Sequence, residues 1–167
     1  MALTDLNLIS LNVRGLRDRG KRKSILEWCK HKKGDILFFQ ETYSTPEVET
    51  RWKSELGGNA YFSHGTNHSR GVLVFIAPTL NIDIIDLKID EEGRFIFLKG
   101  VIQGMKILFG NFYFPTRDKE REQIQFLKDL EKIILEIWSR EYELVLGGDY
   151  NLIMDKKIGL YGVKYPF

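Results

Sequence analysis

Short apolar runs alternate with turn residues along most of this chain, and three stretches break that rhythm with helical spacing. Leu6–Leu11 is strand-like and ends in the turn Asn12-Val-Arg-Gly15. From about Gly20 to Lys32, the residues Ile25, Leu26 and Cys29 fall on one side of a predicted helix. Asp35–Gln40 is a continuous apolar run, the pattern of a strand buried on both faces. Thr45-Pro46 combines a capping residue with proline at the first helical position, so a short helix is expected to about Leu56, closed by Gly57-Gly58. Five strands are then predicted, over Ala60–Ser63, Gly71–Ala77, Leu80–Ile89, Arg94–Ile102 and Lys106–Phe114, from β-branched and aromatic residues between turn signals. Asn81–Leu87 alternates in part, as a strand with one wet face does. A longer helix is expected to follow Thr116 as its cap and to run to about Arg140. Its predicted apolar face is Ile124, Leu127, Leu130, Ile134, Ile137 and Trp138. Glu143–Gly148 reads as the last strand. The pattern predicts one α/β (α+β) domain over residues 1–167, richer in strands than helices, without repeats or linkers.

The polar residues are informative by position. Four apolar strands each run into residues suited to metal or phosphate chemistry: Asn12, then Gln40-Glu41, then Asn111 and Tyr113, then Asp149 and Asn151. Packed α/β folds gather ligands beyond the carboxyl ends of strands, so strands running the same way would bring these ends to one rim. Strand ends also favour Asn, Asp and Glu for turn chemistry alone, which is the plainer explanation for any single one of them. The types are coherent together. Glu41 and Asp149 offer carboxylate oxygens and Asn12 and Asn151 neutral ones, a set that suits Mg²⁺ or Mn²⁺ rather than zinc. Cys29 is the one cysteine, and His31, His64 and His68 lack zinc-ligand spacing. A phosphate-cradling glycine loop and a nucleophile elbow are both missing, and no small-molecule cofactor is expected.

Composition narrows the class. At 43% hydrophobic and 29% charged residues, a folded globular domain is expected, and 167 residues suffice for a sizeable core. No apolar run approaches the roughly 20 residues of a bilayer span, so no membrane partner is expected. The first residues lack the basic and apolar regions of a signal peptide. A lone cysteine fits a reducing compartment, cytoplasmic or nuclear. The net charge of +2 conceals a cluster: nine basic residues against two acidic ones between Asn12 and Lys33. Such a cluster attracts phosphate backbones, although a solvated helix face accounts for it equally well.

Six segments in order carry a resemblance: Leu11-Asn12-Val-Arg-Gly15, Gln40-Glu41-Thr42, Ser69-Arg70-Gly71-Val72, Gly93-Arg94-Phe95, Asn111-Phe-Tyr113-Phe-Pro115 and Gly147-Gly-Asp149-Tyr-Asn151. From about Leu6 to Ile153 the chain resembles the endonuclease/exonuclease/phosphatase family, and within it the endonuclease domain of non-LTR (LINE-type) retrotransposons, related to exonuclease III, apurinic/apyrimidinic endonucleases and DNase I. The resemblance implies a DNase I-like two-sheet β-sandwich flanked by helices that hydrolyses DNA phosphodiesters with Mg²⁺ or Mn²⁺. By motif, Glu41 is the principal metal ligand with Asn12 beside it, and Asp149 is shared between the metal and the attacking water. Tyr113 bonds the scissile phosphate, and Asn151 helps to bind that phosphate and to position Asp149.

The family's C-terminal Ser-Asp-His segment has no match in Asp155–Phe167, so a partial domain is expected, incomplete at its C-terminus, with an open sheet edge and an uncovered apolar face. Loss of a general base lowers turnover by about 10²–10⁴. Impaired endonuclease activity is therefore the first expectation. The alternatives are a non-catalytic nucleic-acid-binding remnant, another phosphodiesterase or phosphatase of the family, and a domain with no ligand.

Overall fold

The computed structural model describes residues 6–116 and 118–151. The segment Asp155–Phe167, where the Ser-Asp-His motif was sought, lies outside the described residues. The elements are β1 (Leu8–Asn12), α1 (Arg19–His31), β2 (Ile36–Gln40), α2 (Pro46–Leu56), β3 (Asn59–Ser63) and β4 (Val72–Ile76). They continue with β5 (Asp83–Ile89), β6 (Phe95–Ile102), β7 (Met105–Tyr113), α3 (Glu120–Ile137) and β8 (Tyr142–Asp149). Two four-stranded sheets form, in the orders β1-β2-β4-β3 and β5-β6-β7-β8. Each contains one parallel pair, β1 with β2 and β7 with β8, and is otherwise antiparallel.

The period-2 alternation of β2 and β4 explains the layering. Ile36, Phe38, Val72, Val74 and Ile76 point inward against Ile96, Leu98, Ile107 and Phe109 of the second sheet. Leu37, Phe39, Leu73 and Phe75 point outward under Ile25 and Cys29 of α1 and Val48 and Trp52 of α2. Phe97, Leu108 and Phe112 form the outer face of the second sheet beneath α3, which buries Leu130 on it. The result is the predicted two-sheet sandwich with helices outside both sheets. Cys29 is buried within the first of these layers, and burial pushes its thiol up to about 11, so it stays protonated.

Three local expectations change. Thr45 adopts the extended N-cap conformation and Pro46 opens α2, but the Thr45 side chain makes no capping hydrogen bond. Thr116 does not cap α3, which starts at Glu120; the Thr116 carbonyl instead accepts from the Lys119 N–H at 3.0 Å in the turn before it. The buried face of α3 is also rotated from the predicted one. Phe126, Leu130, Ile133, Ile134 and Ile137 meet the sheet, while Ile124 and Leu127 are 50% and 57% exposed.

Candidate active site

Parallel pairing decides where the polar strand ends go. In the first sheet Asn12 lies in register with Gln40, so Glu41 follows directly beside it. In the second, Tyr113 lies in register with Asp149. Both pairs finish at the same rim, and one side chain joins them. The Asn12 Nδ2 amide donates to Glu41 Oε1 at 2.9 Å and to Asp149 Oδ2 at 2.8 Å, linking carboxylates from opposite sheets.

That closeness depends on Gly147 and Gly148. A Cβ on Gly147 would stand 2.8 Å from the Phe38 ring of the facing sheet, and one on Gly148 (φ +150°) would stand 2.1 Å from the Phe112 carbonyl. Glycine permits both the approach and the backbone angle that bring Asp149 over the first sheet. Below the rim, Gln40 and Asn111 tie the sheets together rather than enter the site. Gln40 Nε2 donates to Asn111 Oδ1 at 2.7 Å, and Asn111 Nδ2 donates to the carbonyls of Phe39 (3.1 Å) and Leu73 (3.0 Å). Both are fully buried, and this mutual satisfaction is what makes their burial tolerable.

The carboxylates are held from several sides. Tyr43 Oη donates to Glu41 Oε2 at 3.1 Å. The Tyr113 hydroxyl is near the Glu41 carboxylate; burial first, and that carboxylate second, hold its phenol well above the usual range, so it remains a donor. Burial and the Glu41 charge raise Tyr43 in the same direction. The Asn151 N–H donates to Asp149 Oδ1 at 2.9 Å, and Asn151 Nδ2 donates to the Phe114 carbonyl at 2.8 Å, which fixes the residue that orients Asp149.

The backbone here is under strain. Of the seven non-glycine residues with positive φ among the described residues, five surround the site: Arg14 (+46°), Glu41 (+52°), Tyr43 (+56°), Arg70 (+60°) and Asn151 (+49°). Such conformations cost roughly 1–3 kcal/mol each and persist where neighbours over-determine them. The interlocked loops do so: Gly15 N to Glu41 O (2.6 Å), Leu16 N to Thr42 O (2.9 Å), Thr42 N to Gly71 O (2.9 Å) and Tyr43 N to Arg70 O (3.0 Å).

The donor set fits a hard divalent cation. Mg²⁺ is commonly held by one or two carboxylates with water completing its shell, and Glu41 and Asp149 supply two anionic oxygens on a pre-built support. No third His, Cys, Asp or Glu joins them among the described residues, a set unlike a structural zinc site. Asn12 sits between the carboxylates as a donor, because its Oδ1 accepts from the Arg14 N–H at 3.0 Å.

The histidines and the basic cluster sort themselves by contact. His64 places Nδ1 on Ser44 Oγ (3.1 Å) and Nε2 on Glu49 Oε2 (2.8 Å), so both ring nitrogens are engaged away from the rim. His31 ends α1, and His68 lies on the wall of a cleft beside Glu41 and Tyr113. Arg22 is buried, paired with Glu55 at 2.7 Å and stacked 5.0 Å over Trp52, a packing role. Arg17 reaches the Tyr43 carbonyl (3.1 Å) and Lys21 the Arg14 carbonyl (2.9 Å), so this end of the cluster borders the site. Lys30 lies about 14 Å along the helix axis from Lys21, and Lys32 and Lys33 follow the helix end. Tyr43, two residues after Glu41, and Arg70 and Arg94, in the loops before β4 and β6, also border the site, and no strand-end pattern singles them out.

Residues 9–158 match the Endonuclease/Exonuclease/phosphatase family. This chain belongs to that family. An uncharacterised 149 kDa protein of transposon TX1 from Xenopus laevis is 29% identical over 152 residues, which are 91% of this chain and 11% of that protein. D. rerio TDP2, solved with a single-strand DNA product, superposes with a TM-score of 0.70 at 14% identity over 93% of this chain and 64% of that one. An AP endonuclease from Archaeoglobus fulgidus superposes with a TM-score of 0.64 at 24% identity over 91% of this chain and 60% of that one. The shared fold is the DNase I-like sandwich, and the chain spans under two thirds of each of these three proteins.

Proposed function

We propose that this chain carries the metal- and phosphate-binding face of a DNA endonuclease of retrotransposon type, dependent on Mg²⁺ or Mn²⁺. The observation that carries the reading is the Asn12 amide shared by Glu41 and Asp149, with Tyr113 in register with Asp149 on the neighbouring strand. Likeness to a transposon protein and to the fold of a DNA-bound TDP2 supports nucleic acid as the substrate class. Glu41 and Asp149 would hold the cation, with Asn12 beside them. When bound, the cation offsets charge on the phosphoryl oxygen and on the departing oxyanion. Tyr113, kept protonated, donates to the scissile phosphate, a fixed donor that costs little reorganisation. Asp149, aimed by the Asn151 N–H, orients the attacking water and takes its proton. His64 is committed to Ser44 and Glu49, and no imidazole partners Asp149 among the described residues, so slow turnover by these 167 residues is part of the proposal.

Titration with Mn²⁺, followed by electron paramagnetic resonance, and plasmid nicking test it together. One bound Mn²⁺ is expected in the wild-type chain and none in Glu41→Ala. Nicking of supercoiled plasmid is expected to be weak and to disappear in the same variant or in EDTA. A wild-type chain that binds no divalent cation refutes the reading. Stoichiometric Mn²⁺ with salt-sensitive DNA retention and no nicking at all reduces it to a non-catalytic nucleic-acid-binding remnant.

A further inference from the structure

The cleft beside Glu41 and Tyr113 encloses about 470 Å³ and carries three cations, Arg70, Arg94 and Lys119, that the chemistry above leaves unused. Two of them are neutralised: Arg70 by Glu92 at 2.8 Å and Lys119 by Glu122 at 3.2 Å. Arg94 has no carboxylate within ion-pairing distance among the described residues. Its guanidinium is half-buried, lies 5.9 Å from the centre of the Tyr113 ring and makes one long contact, 3.4 Å, to the Tyr113 carbonyl. Burial first and the neighbouring Arg70 second depress its pKa below the ordinary arginine range. Two guanidinium groups facing one half-desolvated space are stabilised by an oxyanion that both can bond.

The two arginines are held in place before any ligand arrives. Arg70 sits in the left-handed region (φ +60°), and its carbonyl accepts from the Tyr43 N–H, so its loop is built onto the strand exit that carries Glu41. The Gly71 N–H donates to the Gly93 carbonyl at 3.0 Å, joining that loop to the turn before β6. The Arg94 N–H donates to Asp90 Oδ2 at 2.8 Å and closes the same turn. Gly93 (φ +77°) fits there because a Cβ would stand 2.5 Å from the His64 carbonyl.

We propose that Arg70 and Arg94 form a second phosphate seat, taking an internal backbone phosphate of the polynucleotide strand beside the one held at Glu41 and Tyr113. Glu92, whose side chain is 71% exposed, is the counter-ion that occupies Arg70 until the strand displaces it. The identity of this ligand rests on the nuclease reading; the anion seat itself does not.

The test is therefore run without metal. Binding of a fluorescein-labelled oligothymidylate of about 12 nucleotides is followed by anisotropy in EDTA across a salt series. Arg70→Gln is expected to weaken binding about three- to tenfold and to lower the log–log salt slope by about 0.7, one phosphate contact on a single strand. Arg94→Gln is expected to do the same; circular dichroism checks its folding, and Arg70→Gln carries the test should it unfold. Glu92→Gln is expected to tighten binding. Glu91→Gln makes the same charge change one residue away but lines a different cleft, and is expected to leave binding unchanged. Arg70→Gln matching wild type, or Glu91→Gln tightening as much as Glu92→Gln, overturns the seat even if the chain nicks plasmid. A 5′-phosphorylated strand that binds better than its 5′-hydroxyl twin, with the preference lost in Arg70→Gln, overturns the internal-phosphate assignment in favour of a strand end. Absence of nicking leaves these outcomes intact, because none of them uses turnover.

Discussion

Asn12 donates to two carboxylates from opposite sheets while its own oxygen is taken by the backbone. Its neighbourhood was legible from sequence, since it ends a strand and precedes a turn. Which of its atoms faces the carboxylates was not, because that depends on the Arg14 N–H claiming Oδ1. The two arrangements lead to opposite outcomes for two substitutions. In the metal-free protein Asn12→Ala removes two hydrogen bonds to carboxylates, and Asn12→Asp removes both and adds a third negative charge. The order of urea midpoints is then wild type, Asn12→Ala, Asn12→Asp, with losses of about 1–3 kcal/mol. Saturating Mn²⁺ is expected to reverse the last two, because the aspartate offers the cation a further anionic oxygen. An unchanged order in Mn²⁺ would mean that Asn12 is not beside the cation. Gln40 and Asn111 make the complementary point. They share the strand-end position of the site residues, yet face each other inside the sandwich, and alternation within one strand cannot reveal a partner on another sheet.

At the scale of elements, β2 and β4 were readable because their apolar runs are continuous, and burial on both faces leaves no alternative. Helix α3 was readable in existence but not in rotation. It carries two adjacent apolar stripes, one through Phe126, Leu130, Ile133 and Ile137, the other through Ile124, Leu127, Leu135 and Trp138. Periodicity detects both equally, and the aromatic floor of Phe97 and Phe112 selects the first. The second stripe remains exposed, as do Leu144 and Leu146 on β8. The end of β8 is the element on which the site turns. Gly148→Ala sets a Cβ against the Phe112 carbonyl, which the sheet fixes, so about 2–4 kcal/mol of stability is expected to be lost. Gly147→Ala meets a ring edge at 2.8 Å instead and is expected to cost less. Both displace Asp149, so Mn²⁺ affinity falls in each. Urea denaturation and Mn²⁺ titration measure the two effects, and a Gly148→Ala chain with wild-type values of both would remove the glycine pair from the account.

For the whole molecule, the consequence is that neither sheet owns the site. Glu41 and Asn12 belong to one sheet and Tyr113 and Asp149 to the other, and the Gln40–Asn111 pair fixes the distance between them. A cation bound across that junction binds the docked sandwich and not its separated halves, so its free energy adds to global stability. At a hundredfold excess over Kd this amounts to about 2.7 kcal/mol, or roughly hundredfold slower exchange for amides that open only on global unfolding. Hydrogen exchange resolved by residue is the direct measurement. Protection is expected to rise together in β2 of the first sheet and in β7 and β8 of the second, and not to rise in Glu41→Ala. A cation held by Glu41 alone would instead slow exchange around residues 41–44 and leave β8 as it was. That pattern would separate Asp149 from the metal and return it to a role in the sheet, whatever its distance from Asn12. Exchange slowing in step across both sheets is what a junction site requires, and local binding does not produce it.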